Sequence, residues 1–219
     1  MAIPFPDKTA AFRILKGTDV LIVVPVTPNA PEVKITAPTA SETISDTYTI
    51  KWTGSDKDGD NLYYSVEYSD NGEDWVALAT EITKTEWTDD FSTIPGSDKP
   101  MGRVKVTATD GINATEVTSD LFSVPPKVPE VFIEEPEKDI TIKAGEEIAL
   151  VGSAYDLQDD WISDDTKLIW SSDLQGDLGG GELLYVDNLK PGKHAITLKA
   201  TNNFGLSGTA NVVVTVTEK

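Results

Sequence analysis

Residues 55–75, SDKDGDNLYYSVEYSDNGEDW, carry an acidic loop straight into a strand that ends at an Asn-Gly turn. Leu62, Tyr64, Val66 and Tyr68 alternate with Tyr63, Ser65, Glu67 and Ser69, the period of two that marks a strand with one buried face. Almost every other segment repeats this pattern of short strand and Gly, Pro, Asn or Asp turn, and helical periodicity is missing. A chain of this kind buries its apolar faces by packing sheet on sheet, so an all-β fold is expected.

The strand signals fall into two sets. The first contains Val33 and Ile35; Tyr48, Ile50 and Trp52; residues 62–68; residues 75–78; a strand near Thr85 to Thr88; Val104, Val106 and Ala108; and residues 121–124. That spacing suits a seven-strand sandwich of about 100 residues. Pro125, Pro126 and Pro129 then interrupt the ladder and favour an extended connector. The second set runs through residues 131–133, 140–142, 148–151, 168–170, 183–186, 195–200 and 210–216. Both sets open alike, PEVKI against PEVFI, with Pro38 and Pro136 soon after. The expected fold is two consecutive immunoglobulin-like β-sandwiches preceded by an N-terminal β-hairpin. The expected domains are 1–30 (hairpin or extension), 31–125 (first sandwich), 126–129 (proline-rich linker) and 130–219 (second sandwich).

Residues 11–15 and 20–26 flank Lys16-Gly17-Thr18-Asp19 as the hairpin. An isolated hairpin is marginal in water, so VLIVVPV must be covered by the first sandwich, by another domain or by a second copy of the chain. Donation of a strand to a neighbour's sheet edge is the sharpest of these alternatives.

Charge narrows the partners. Lys and Arg total 18 against 37 Asp and Glu, a formal net charge of −19, which repels polyanions and argues against nucleic acid. No run reaches the roughly 18 apolar residues of a membrane-spanning helix, and the first sixteen residues lack a basic start followed by an apolar core. If the protein is exported, its signal has been removed and Met1 is the start of a fragment. Zero cysteines exclude disulfides and thiolate metal sites.

Asp56, Asp58 and Asp60, at alternate positions around Gly59, are expected to converge in a turning loop. Calcium takes about six to eight oxygen ligands, so a sandwich-loop calcium site is one reading and acidic turn chemistry the other. An EF-hand reading places Glu67 at position twelve but fails, because Asn61 stands where glycine is required. A second acidic cluster, Asp156, Asp159, Asp160, Asp164 and Asp165 around Trp161, must be solvated or bridged by a cation. Trp75, Trp87, Trp161 and Tyr63 are candidates for a glycan platform, whereas Trp52 and Trp170 follow strand alternation into the core. His194, the single histidine, sits in a strand-entry turn with no serine or cysteine elbow nearby, so catalysis is not expected. Asn113-Ala114-Thr115 is a glycosylation sequon wherever the source glycosylates.

These motifs carry a family resemblance. IKWTGSDKDGDNLYYSVEYSDNGEDWVAL, with RVKVTATDG and LFSV, resembles the fibronectin type III-like or PKD-like immunoglobulin-fold domains of secreted or surface bacterial and archaeal proteins. AGEEIALVGSAYD, LIWSSDLQGDLGGG and LKPGKHAITLKATNNFG resemble the PKD-like partner that often follows. The resemblance implies a secreted or cell-surface, non-catalytic spacer, adhesive or structural module beside other domains of a larger protein or copies of itself. A carbohydrate- or polymer-binding accessory module of a secreted enzyme is the alternative. FRILKGTDVLIVVPV resembles the closing strands of a preceding domain. The family's calcium site maps onto Asp56, Asp58, Asp60 and Asp110 in the first unit; in the second, Asn202 and Asn203 stand where an acidic residue is common.

Overall fold

The computed structural model describes residues 9–218, so the first eight residues of the expected 1–30 segment and Lys219 lie outside the description. The chain is all-β, two immunoglobulin-like sandwiches preceded by a hairpin. Two compact units emerge, one of residues 9–91 with Lys99–Ser123, the other of Ser92–Asp98 with residues 124–218.

In the first unit, β1 (Ala11–Lys16) and β2 (Asp19–Pro25) form a separate two-stranded antiparallel sheet. Gly17, at φ 63°, makes the tight turn that a side chain resists. The sandwich itself sets β3 (Glu32–Ala37), β4 (Thr47–Ser55) and β7 (Glu86–Asp90) in one sheet, ordered β3-β4-β7. Facing it is a sheet of β6 (Val76–Ile82), β5 (Tyr63–Ser69), β8 (Arg103–Thr109) and β9 (Ala114–Thr118), ordered β6-β5-β8-β9. The period of two puts Ile50 and Trp52 of β4, Tyr64, Val66 and Tyr68 of β5, and Val104, Val106 and Ala108 of β8 inside. Phe91 is the hub: Tyr68 meets it edge-on at 5.6 Å and Phe122 at 6.2 Å. Each such fully buried side chain contributes about 1.5–3 kcal/mol.

The second unit pairs β10 (Glu130–Glu135), β12 (Ile148–Asp156), β13 (Asp160–Trp161) and β16 (Leu183–Val186) in one sheet, with β12 central. The other sheet runs β11-β18-β17-β14-β15, from β11 (Ile140–Lys143), β14 (Leu168–Ser172), β15 (Gly176–Gly180), β17 (Gly192–Thr201) and β18 (Ser207–Thr217). Trp170, Leu150, Leu168, Ile196 and Leu198 centre its core, and the Trp170 indole N–H donates to the Gly181 carbonyl at 2.9 Å. Within this unit Ser97 N–H donates to Val124 O at 2.9 Å.

Three expectations differ from what forms. The strand expected at 121–124 reduces to single bridges, Phe122 to Gly102 and Ser123 to Thr43. The strand expected at 75–78 is longer, Val76–Ile82. Three strands were not legible: β9, short and with Glu116 and Thr118 facing outward; β13, only two residues long; and β15, which is mostly glycine.

Candidate metal centre

Strand register builds this site. β5 pairs antiparallel with β8, setting Tyr63 opposite Thr109, so the loop entering β5 and the loop leaving β8 meet at one end of the sandwich. In the first loop Asp56 Oδ1 accepts from the amides of Asp58 (2.8 Å) and Asp60 (3.3 Å), a side-chain-closed turn. Gly59 takes the left-handed conformation, φ 82°, that returns the chain toward Asp60. In the second loop Asp110 Oδ1 accepts from the amides of Ile112 and Asn113, both at 2.6 Å, and Oδ2 from the Asn113 side chain at 3.0 Å.

Asp56, Asp60 and Asp110 each bring a carboxylate oxygen to within 4.8 Å of the others. Oxygens around a calcium ion at about 2.4 Å have that separation. Asp56 Oδ2 and Asp60 Oδ2 each expose less than 1 Å² and have no hydrogen-bond partner. Sealed, orphaned carboxylate oxygens cost several kcal/mol unless a cation or water meets them. Burial pulls the Asp110 carboxyl up, but the Asn113 side chain and the amides of Ile112 and Asn113 outweigh it and hold the group below the usual carboxylate range, in its charged form. The donor set is all oxygen and anionic, which fits a hard divalent cation. Asp58, expected in the same cluster, turns instead to Asn29, accepting from its amide at 2.9 Å and its side chain at 2.7 Å.

The corresponding place in the second unit is wired differently. Asp156, fully buried at the end of β12, accepts through Oδ1 from the Gln158 amide (3.0 Å), the Gln158 side chain (2.8 Å) and the Asp159 amide (3.2 Å). Its Oδ2 accepts from the Asn202 side chain at 2.8 Å. Asp159 accepts from Asn203, and Asp164 caps the 3-10 turn Asp165–Lys167 through the Thr166 amide at 2.9 Å. The five carboxylates expected there as one cluster are therefore dispersed, and among the described residues only Asp56, Asp60 and Asp110 converge.

Other candidates resolve as follows. Glu67 lies in β5 and pairs with Lys105 at 2.8 Å, away from the loop, and the Lys105 ammonium also covers the Trp75 ring at 4.5 Å. Trp87 donates to Asp89 at 3.1 Å. Trp161 is 59% exposed, its ring flanked by Tyr155 (5.4 Å) and Phe132 (6.3 Å). It borders a cleft of about 190 Å³ lined by Asp159, Asp164, Lys167, Asn202 and Asn203. The Asn113 side chain is occupied, donating to the carbonyls of Thr27 (3.0 Å) and Asn29 (3.3 Å) as well as to Asp110.

His194 lies inside β17 rather than in a turn, and it does have a serine partner: its Nδ1 lies 2.7 Å from Ser172 Oγ. Sequence could not show this, because strand pairing of β14 with β17 supplies the contact across 22 residues. The pair is sealed in the core, with His194 0% and Ser172 4% exposed, and His194 Nε2 meets the Lys190 carbonyl at 2.7 Å in place of an orienting carboxylate. It is a packing element, out of reach of substrate.

No family model and no curated protein matches this chain. Among solved structures it is similar to the eight N-terminal immunoglobulin domains of Down syndrome cell adhesion molecule (10% identity, TM-score 0.37), covering 89% of this chain and 27% of that one. It is similar to the Ig1-2 module of the Drosophila receptor tyrosine phosphatase DLAR (9% identity, TM-score 0.30; 87% and 100% covered). A third is a Bacteroides ovatus protein, SGBP-B of a mixed-linkage glucan utilization locus, in complex with a heptasaccharide (17% identity, TM-score 0.29; 86% and 48% covered). The chain thus spans about a quarter of the first of these solved chains. No helix among the described residues is long and apolar enough to cross a membrane.

Proposed function

We propose that this chain is a non-catalytic extracellular spacer or adhesive module whose first sandwich is stiffened by calcium held by Asp56, Asp60 and Asp110. The observation that carries this reading is the pair of sealed, partnerless oxygens, Asp56 Oδ2 and Asp60 Oδ2, facing a third carboxylate. Calcium bound there would neutralise the mutual repulsion and satisfy both orphans. Calorimetry with excess calcium and with chelator tests it. At free calcium a hundredfold above Kd the native unit gains about 2.7 kcal/mol, which for a domain of this size is a rise of roughly 10 °C or more. One transition should move and the other stay; no movement of either would sink the calcium reading.

The hairpin supports an assembly role. Ile14, Leu15, Val20, Leu21, Ile22 and Val23 are each 50–59% exposed, so the first sandwich does not cover them. Neighbouring domains or copies of the same chain are the partners proposed for that surface. Light scattering with and without residues 1–28 distinguishes them: a mass that stays monomeric in both removes self-assembly.

A carbohydrate- or polymer-binding role is the second reading, favoured by the exposed Trp161 ring beside a cleft of carboxylates and amides. Polysaccharide pull-down that is indifferent to Trp161→Ala would dismiss it.

A further inference from the structure

The segment joining β2 to β3 is held by the same two loops that carry the candidate metal ligands. Asn29 is gripped at both ends of its residue, its amide by Asp58 Oδ2 at 2.9 Å and its side chain by Asp58 Oδ1 at 2.7 Å. Asp58 is fixed in turn because its own amide donates to Asp56. From the other loop, Asn113 uses one side-chain nitrogen to reach Thr27 O, Asn29 O and the ligand Asp110. The grip on residues 27–29 therefore depends on both loops staying in place. Asp56 and Asp60 of the first loop face the like charge of Asp110 in the second.

The second unit holds its own incoming segment by a parallel arrangement. Lys127, like Asn29, stands three residues before its first sandwich strand. Its amide donates to Gln158 Oε1 at 3.0 Å, as that of Asn29 does to Asp58. Its carbonyl accepts from Gln158 (3.2 Å) and Asn202 (2.9 Å), as that of Asn29 does from Asn113. Gln158 follows Asp156 by two residues as Asp58 follows Asp56, and Asn202 leaves β17 as Asp110 leaves β8. Here Oδ1 and Oδ2 of Asp156 each accept from an amide, and among the described residues no second and third carboxylate converge on it.

We infer that a divalent cation, calcium by its oxygen donor set, acts at Asp56, Asp60 and Asp110 as a switch that locks residues 27–31 onto the first sandwich and so fixes the direction of the N-terminal hairpin, whereas the segment at Lys127 is locked without metal. This rests on the calcium reading above. It goes further in assigning the cation a conformational output and in confining that output to one of two similar junctions.

The test is amide hydrogen exchange on the full chain, with calcium and with chelator, read at Asn29 and at Lys127, alongside calorimetric titration of calcium. Calcium should slow exchange at Asn29 at least tenfold, with Lys127 unchanged as the internal control. Asn29→Ala, which leaves the three ligands untouched, should bind calcium as before while losing most of the protection near residue 29. Absence of calcium heat would overturn both the calcium reading and this inference. Calcium heat with unchanged exchange at Asn29, or with equal slowing at Lys127, would overturn this inference and leave the site standing.

Discussion

The Asn202 side chain donates to Asp156 Oδ2 at 2.8 Å, both residues buried, where the first sandwich sets the carboxylate of Asp110 against that of Asp56. The second unit thus meets its buried carboxylate with an amide at the place where the first sets a further carboxylate.

Asp110→Asn gives the first unit the amide of the second. The calcium-dependent rise of its unfolding temperature should shrink to near zero, because one of three carboxylates is gone. Without calcium the variant should be somewhat less stable than the parent, because the Asn113 side chain and the amides of Ile112 and Asn113 that hold Asp110 charged lose a charged acceptor. A calorimetric shift that survived undiminished would remove Asp110 from the site.

Asn202→Ala strips Asp156 Oδ2 of its donor and the Lys127 carbonyl of another. An orphaned buried acceptor costs about 1–3 kcal/mol, and more when it is charged. Urea unfolding of the second unit should show a loss of about 3 kcal/mol, with the first unit's transition in place. A loss within a few tenths of a kcal/mol would mean that water replaces the amide.

His194→Phe keeps a ring of similar size but silences both nitrogens. The Ser172 hydroxyl in the core and the Lys190 carbonyl at its edge both lose the imidazole as a partner, for a cost of about 1–3 kcal/mol. Equal stability of variant and parent would show that packing alone sets this position.

Gly152→Ala tests close approach. An added Cβ would lie 2.6 Å from the Phe132 carbonyl and 2.5 Å from Leu198, and the backbone contact cannot rotate away. Overpacking of this kind costs about 1–3 kcal/mol or more, and the variant's denaturation midpoint should fall accordingly.

Acid stability carries a mark of Glu42. Hydrogen bonds from the Thr39 hydroxyl, the Tyr48 hydroxyl and the Thr39 amide hold its carboxyl below the usual range. A folded-state pKa below the unfolded one means the unfolded chain binds more protons. The stabilisation is therefore complete above about pH 4.3 and is lost as pH falls through the depressed value. Glu42→Gln should be less stable than the parent at pH 7, with the difference narrowing as the pH drops below 4. A constant difference across that range would assign the effect to shape rather than charge.

The alternation of Tyr64, Val66 and Tyr68 and the turn punctuation around each strand determined, by themselves, that this chain folds as sheets in two repeated sets. That information is local: a strand's buried face is written in its own period of two. Polar β9 and glycine-rich β15 escaped because they pair at edges, where neighbouring strands supply what their side chains do not signal. The aspartates around Gly59 were legible as a group, but their division was not. Whether Asp58 faces a cation or Asn29, and whether His194 meets a serine, depends on register between strands tens of residues apart, and only the tertiary structure sets that register.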